Sequence, residues 1–103
     1  MKVLVEGHAY ELDSFEGTNQ QILNFIHKEP VIDGEPGELK TVQDGTTNEE
    51  VLVMLIDRMY HLQNKFPCRE NAIVITKLEE SLMWLNKRTA DRKARNVEGK
   101  HLK

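Results

Sequence analysis

At 103 residues, with 39% apolar and 30% charged residues, the chain has the length and composition of one folded, soluble domain. No apolar run approaches the roughly 18 residues a membrane span requires, and the opening Met1-Lys2-Val3-Leu4-Val5-Glu6 is too short and too acidic for a signal peptide. The single cysteine, Cys68, excludes an intrachain disulfide framework and a cysteine metal cluster, and suits a reducing cytosol.

The net charge of −3 is unevenly divided. Residues 1–66 carry 5 Lys/Arg against 12 Asp/Glu, whereas residues 67–103 carry 9 against 5. A basic C-terminal half points to a small anionic partner, and the acidic remainder argues against tracking a DNA or RNA polymer. The ordinary alternative is a solvated, charged helix end.

Lys2-Val3-Leu4-Val5 and Ala9-Tyr10-Glu11-Leu12 are β-favouring and flank Gly7-His8, which predicts a hairpin over residues 2–15. In Gln21 to Lys28, Ile22, Phe25 and Ile26 also fit a short helix capped by Thr18. The neighbouring strand signals and Pro30 favour a strand. Pro30, Asp33, Gly34, Pro36 and Gly37 predict a loop over 29–38, and Leu39 to Val42 a fourth strand. The N-terminal half is thus expected to be one small antiparallel sheet.

Asp44-Gly45 is a turn signal, and Thr47 with Glu50 forms a capping box that opens a first helix. Val51, Met54, Leu55, Met59, Leu62 and Phe66 recur at three and four residues, giving one apolar stripe. Pro67 breaks the run, since it lacks the amide a helix interior needs, and its fixed φ suits the start of a second helix from about Cys68 to Arg92. Ile75, Leu78, Leu82 and Leu85 have near-heptad spacing, which predicts packing on the first helix as an antiparallel hairpin. The expected organisation is a single α+β domain over 1–103. Residues 1–45 form the sheet part, 46–97 the helical hairpin and 98–103 a fraying tail.

Continuing the second helix's stripe in both directions reaches Asn71 and Arg92, with Arg88 bordering the same face. Leucine would be expected there if the hairpin core simply continued. Arg88 and Arg92, four residues apart, repel unless something negative lies between them. Asn71 and Arg88 are 17 residues apart, on the order of 25 Å along one helix, so one small ligand can meet both only where two chains lie antiparallel. The bland alternative pairs the arginines with Asp91 or partner acids, makes Asn71 a cap and places Tyr60 in the core. Trp84, with Met83 beside it, forms a second apolar face suited to an interface or to packing on the sheet.

Catalysis has little support. Cys68 has Arg69 beside it but no facing histidine, and His8, His27, His61 and His101 are scattered without metal-ligand spacing. No metal, no cofactor and no enzymatic activity are expected.

Phe66-Pro67-Cys68-Arg69-Glu70-Asn71, Ile75-Thr76-Lys77-Leu78-Glu79-Glu80, Trp84-Leu85, Arg88-Thr89, Asp91-Arg92 and Val97-Glu98-Gly99 resemble the helical hairpin of the phage Thoeris anti-defence and anti-CBASS sponges, most closely the Thoeris anti-defence 1 type. The likeness is strongest from about Asp44 to Gly99. It implies a homo-oligomer, dimer or hexamer, that acts in the cytoplasm of the infected bacterial host. There it would sequester a cyclic ADP-ribose isomer without degrading it. Residue by residue, it implies that Asn71, Arg88 and Arg92 hold the ligand and that a first-helix ring, Tyr60 or His61, stacks on the adenine. Guanidinium groups take pyrophosphate oxygens bidentately, an amide reads a ribose or base edge, and a ring stacks on adenine. It also implies a second ligand class, cyclic di- and trinucleotides, for which Lys65, Arg69 and Lys77 qualify by charge alone. From a different class, the same hairpin would serve a phage structural or interaction module.

Overall fold

The computed structural model describes residues 1–95, so the expected tail at 98–103 and the matching Val97-Glu98-Gly99 lie outside the described residues. The fold is α+β: five strands come first, then two helices. The described backbone divides between Thr47 and Asn48 into two compact units.

In the first unit, β1 (Lys2–Val5) and β2 (Ala9–Leu12) form the expected hairpin. The His8 amide donates to the Val5 carbonyl at 2.9 Å, and Gly7 takes φ +76°, a left-handed value that costs glycine no Cβ clash. β3 (Gln21–Asn24) pairs with β2, and β4 (His27–Pro30) pairs with β5 (Leu39–Gln43), both antiparallel. The segment that fitted helix or strand is therefore strand, interrupted at Phe25-Ile26.

Two differences from the sequence expectation stand out. There are two sheets, β1-β2-β3 and β4-β5, where one was expected. The expected loop also starts later, because Glu29 and Pro30 belong to β4. Pro30 is tolerated at the last strand position, opposite Leu39, where a missing N–H costs the ladder least.

Thr46 joins the two sheets. Its amide donates to Asn24 O and its carbonyl accepts from the Ile26 amide, both at 2.8 Å. Gly45 is what permits this approach: a Cβ there would lie 2.5 Å from both the Asn24 carbonyl oxygen and the Phe25 carbonyl carbon. Since backbone cannot move aside cheaply, Gly45→Ala should destabilise this unit by about 2 kcal/mol. Amide exchange at Ile26 and Thr46 should then be roughly thirtyfold faster, and unchanged exchange would contradict the account.

In the second unit, α1 (Asn48–Lys65) begins one residue after Thr47, and α2 (Arg69–Ala94) follows as the antiparallel arm. Cys68 is the N-cap of α2, its sulfur accepting the Asn71 amide at 3.4 Å. The Gln63 side chain clamps the turn from both sides: its amide donates to the Cys68 carbonyl at 3.1 Å and its oxygen accepts the Cys68 amide at 3.0 Å. The covered stripe of α1 is Val51/Leu52, Leu55/Ile56, Met59 and Leu62/Gln63. Met54 and Phe66, expected on it, are exposed instead. The facing stripe of α2 is Asn71, Ile75, Leu78, Leu82, Leu85, Thr89 and Arg92, an unbroken alternation of four and three residues. Ile75 is its one buried apolar residue, 5% exposed.

Candidate functional site

Two of the three implied binding residues on α2 occupy the ends of the hairpin-facing stripe. Asn71 is half-buried two positions into the helix, and Arg92 is 8% exposed in its last turn. Arg92 also has a polar or electrostatic partner within the chain. Arg88, one turn earlier, is exposed, and among the described residues no hydrogen bond or ion pair engages it. Asp91 does not answer it: that carboxylate takes the Lys87 ammonium at 3.3 Å. The arginine pair therefore splits into a held, buried guanidinium and an open one. Because α2 is continuous from Arg69 to Ala94, the separation of about 25 Å between Asn71 and Arg88 stands.

Asn71 caps nothing with its side chain, since Cys68 has that role. Tyr60 is 45% exposed and so not a core residue. Its hydroxyl donates to Glu79 Oε2 at 2.9 Å, tying α1 to α2 and holding the ring against the hairpin flank. This hydrogen bond to the carboxylate raises the Tyr60 pKa above the ordinary phenol value, because ionising the hydroxyl would leave two anions together. His61, one position on, is exposed. Sequence reasoning missed Glu79, because which α1 side chain it meets depends on the rotation of the helices about each other.

On its outward face α2 forms an open groove of about 340 Å³ lined by Arg69, Ala72, Ile73, Thr76 and Lys77. It brings together two of the three cations singled out by charge and leaves Lys65 out. The same helix exposes Val74, Met83 and Trp84, the last at 62%, so the second apolar face is uncovered in a single chain.

A long helix carrying an amide at one end and two guanidiniums at the other, folded back on an apolar partner helix, is a helical-hairpin module with polar groups where its core seam would otherwise continue. Residues 30–90 match the Acb2/Tad1 hairpin domain, and the chain belongs to that family. The match begins upstream of Asp44, in β4, and contains Asn71, Arg88, Tyr60 and His61; Arg92 lies two residues beyond it. The chain is also 59% identical over 61 residues to Thoeris anti-defense 1 of Bacillus phage SBSphiJ7. That alignment takes in 58% of this chain and 43% of the relative, so the likeness covers less than half of the relative's length.

Proposed function

We propose that this protein is a phage anti-defence sponge that sequesters a cyclic ADP-ribose messenger of Thoeris immunity in the host cytoplasm, without turning it over. The observation that carries the proposal is the replacement of core residues by Asn71 and Arg92 at the two ends of one packing stripe, with Arg88 open beside the second. The family membership and the 59% identity to an anti-defence protein support it. In this account two chains meet antiparallel, and the Asn71 end of one faces the Arg88 and Arg92 end of the other. Guanidinium groups then hold the pyrophosphate and Asn71 reads a ribose or base edge. Tyr60 or His61 supplies the stacking ring. Cyclic di- and trinucleotides are a second ligand class, with the Arg69/Lys77 groove as their place of contact.

Self-association, as a dimer or hexamer, is part of the proposal. Val74, Met83 and Trp84 stand exposed on α2, an apolar face that self-association would cover. Sedimentation at micromolar protein should accordingly show little monomer, and a clean 11.9 kDa species would remove the composite pocket. Calorimetric titration against cyclic ADP-ribose isomers and cyclic dinucleotides tests the ligand class. Binding of none of them would end this proposal. Messenger held by stoichiometric protein should be recovered intact after heat denaturation, and recovery of linear ADP-ribose would reveal an active site.

A second proposal, an interaction module that oligomerises through the hairpin, is favoured by the exposed Met83 and Trp84 and by the Tyr60 hydroxyl already committed to Glu79. It predicts self-association without nucleotide binding.

A further inference from the structure

We infer that the outward face of α2 pairs antiparallel with the same face of a second copy, Trp84 of each chain entering the groove beside the partner's Ile73. Ile73, Lys77, Glu80 and Trp84 follow one another at four, three and four residues, so they form one ridge along the continuous helix. That ridge lies away from the seam with α1, where Ile75, Leu78, Leu82 and Leu85 are covered. Ile73 is 40% and Trp84 62% exposed, and Ile73 and Lys77 line the open groove. Trp84 stands eleven residues, about 16 Å, along a rigid helix from Ile73, so no chain can fill its own groove with its own indole.

The spacing commits the face to a second copy, because four, three and four reads the same in both directions. About a two-fold axis midway between Lys77 and Glu80, Ile73 lies opposite the partner's Trp84 and Lys77 opposite the partner's Glu80. Each pairing recurs in reverse, so the contact is isologous. Within one chain Lys77 reaches Glu80 at 3.8 Å, with 70% and 53% of these side chains exposed, and two copies set four alternating charges around the axis. Register is fixed by what fails. A slide of three residues sets Lys77 against the partner's Lys77 in one direction and Glu80 against the partner's Glu80 in the other. A parallel pairing does both and leaves the groove empty.

The groove suits an indole. Ala72 and Thr76 are small and leave room between the longer Arg69, Ile73 and Lys77, and the two cations at its rim can lie against the indole face. Tryptophan seated in a partner's pocket is also the side chain that most often dominates an interface. Asn71 lies on the opposite side of α2, in the seam, so this pairing is separate from the composite messenger pocket. It supplies a surface for the self-association proposed above and needs nothing of the nucleotide reading. In this pairing the indole and a cyclic dinucleotide exclude one another from the groove.

Trp84 is the chain's single tryptophan, so its fluorescence reports this contact whatever other surfaces associate. In the full chain at micromolar concentration it should emit at shorter wavelength than an indole in water and resist quenching by iodide. Lys77→Glu and Glu80→Lys, each alone, place like charges across the axis and should move the emission to that of an exposed indole, with the helical signal at 222 nm retained. Mixed in equal amounts the two variants should recover the wild-type emission, because the acids of one chain then face the bases of the other. Emission unmoved by either variant, or no recovery on mixing, would overturn the inference. A wild type that sediments as an oligomer with its indole exposed would also sink this contact, and would leave the proposed self-association to another surface.

Discussion

Arg88→Ala should weaken messenger binding by about 1.5–3 kcal/mol, roughly tenfold to more than a hundredfold, while leaving the thermal midpoint almost unmoved. Both halves of that expectation follow from exposure. The guanidinium is exposed and pairs with no described residue, so its removal breaks no hydrogen bond or ion pair of the fold, and the loss falls on the proposed charge-assisted bond to a phosphate oxygen. Arg88→Lys keeps the charge without the planar fork and should fall between the two. Arg92→Ala should behave differently. Arg92 is buried and partnered, so truncation costs hairpin stability as well as affinity. Titration calorimetry and a thermal melt on each variant separate these cases. Arg88→Ala that binds normally but dissociates into monomers would make Arg88 an interface residue and favour the interaction module.

Ile75→Ala should cost the hairpin about 2–4 kcal/mol, the usual range for emptying a buried isoleucine site. The two helices bury no other apolar side chain to the same degree, and a unit so thinly covered has little margin to absorb the loss. The helical signal at 222 nm should melt at a midpoint lowered by roughly 10–25 °C, and Ile75→Val by only a few degrees. A wild-type melt for Ile75→Ala would mean that the seam between α1 and α2 does not hold the hairpin together.

What the sequence made legible follows from where periodicity is unambiguous. On α2 the apolar residues are sparse, so Ile75, Leu78, Leu82 and Leu85 define one stripe, and its extension correctly reaches Asn71 and Arg92. On α1 they are dense, and Met54 and Phe66 fit an equally regular stripe beside the covered one, which uses Leu52 and Ile56. Short strands could be located from Gly7 and the β-favouring runs, but their grouping into two sheets rests on Thr46 wedging beside Asn24 and Ile26. That contact spans some twenty residues and leaves no local signal beyond Gly45. The arginine pair looked symmetric because i,i+4 spacing says only that two side chains are neighbours. Burial of one and exposure of the other depends on the rotation of α2 against α1, as does the Tyr60–Glu79 hydrogen bond.

The composite pocket can be tested directly by mixing two defective chains. Asn71→Ala and Arg88→Ala, each expressed alone, should bind the messenger poorly. Co-expressed in equal amounts as a dimer, they should form mixed assemblies in which one pocket combines both lesions and the other is intact. Titration calorimetry should then recover full affinity at about a quarter of the wild-type site number. Recovery of no sites in the mixture would contradict a ligand shared between the Asn71 end of one chain and the arginine end of another.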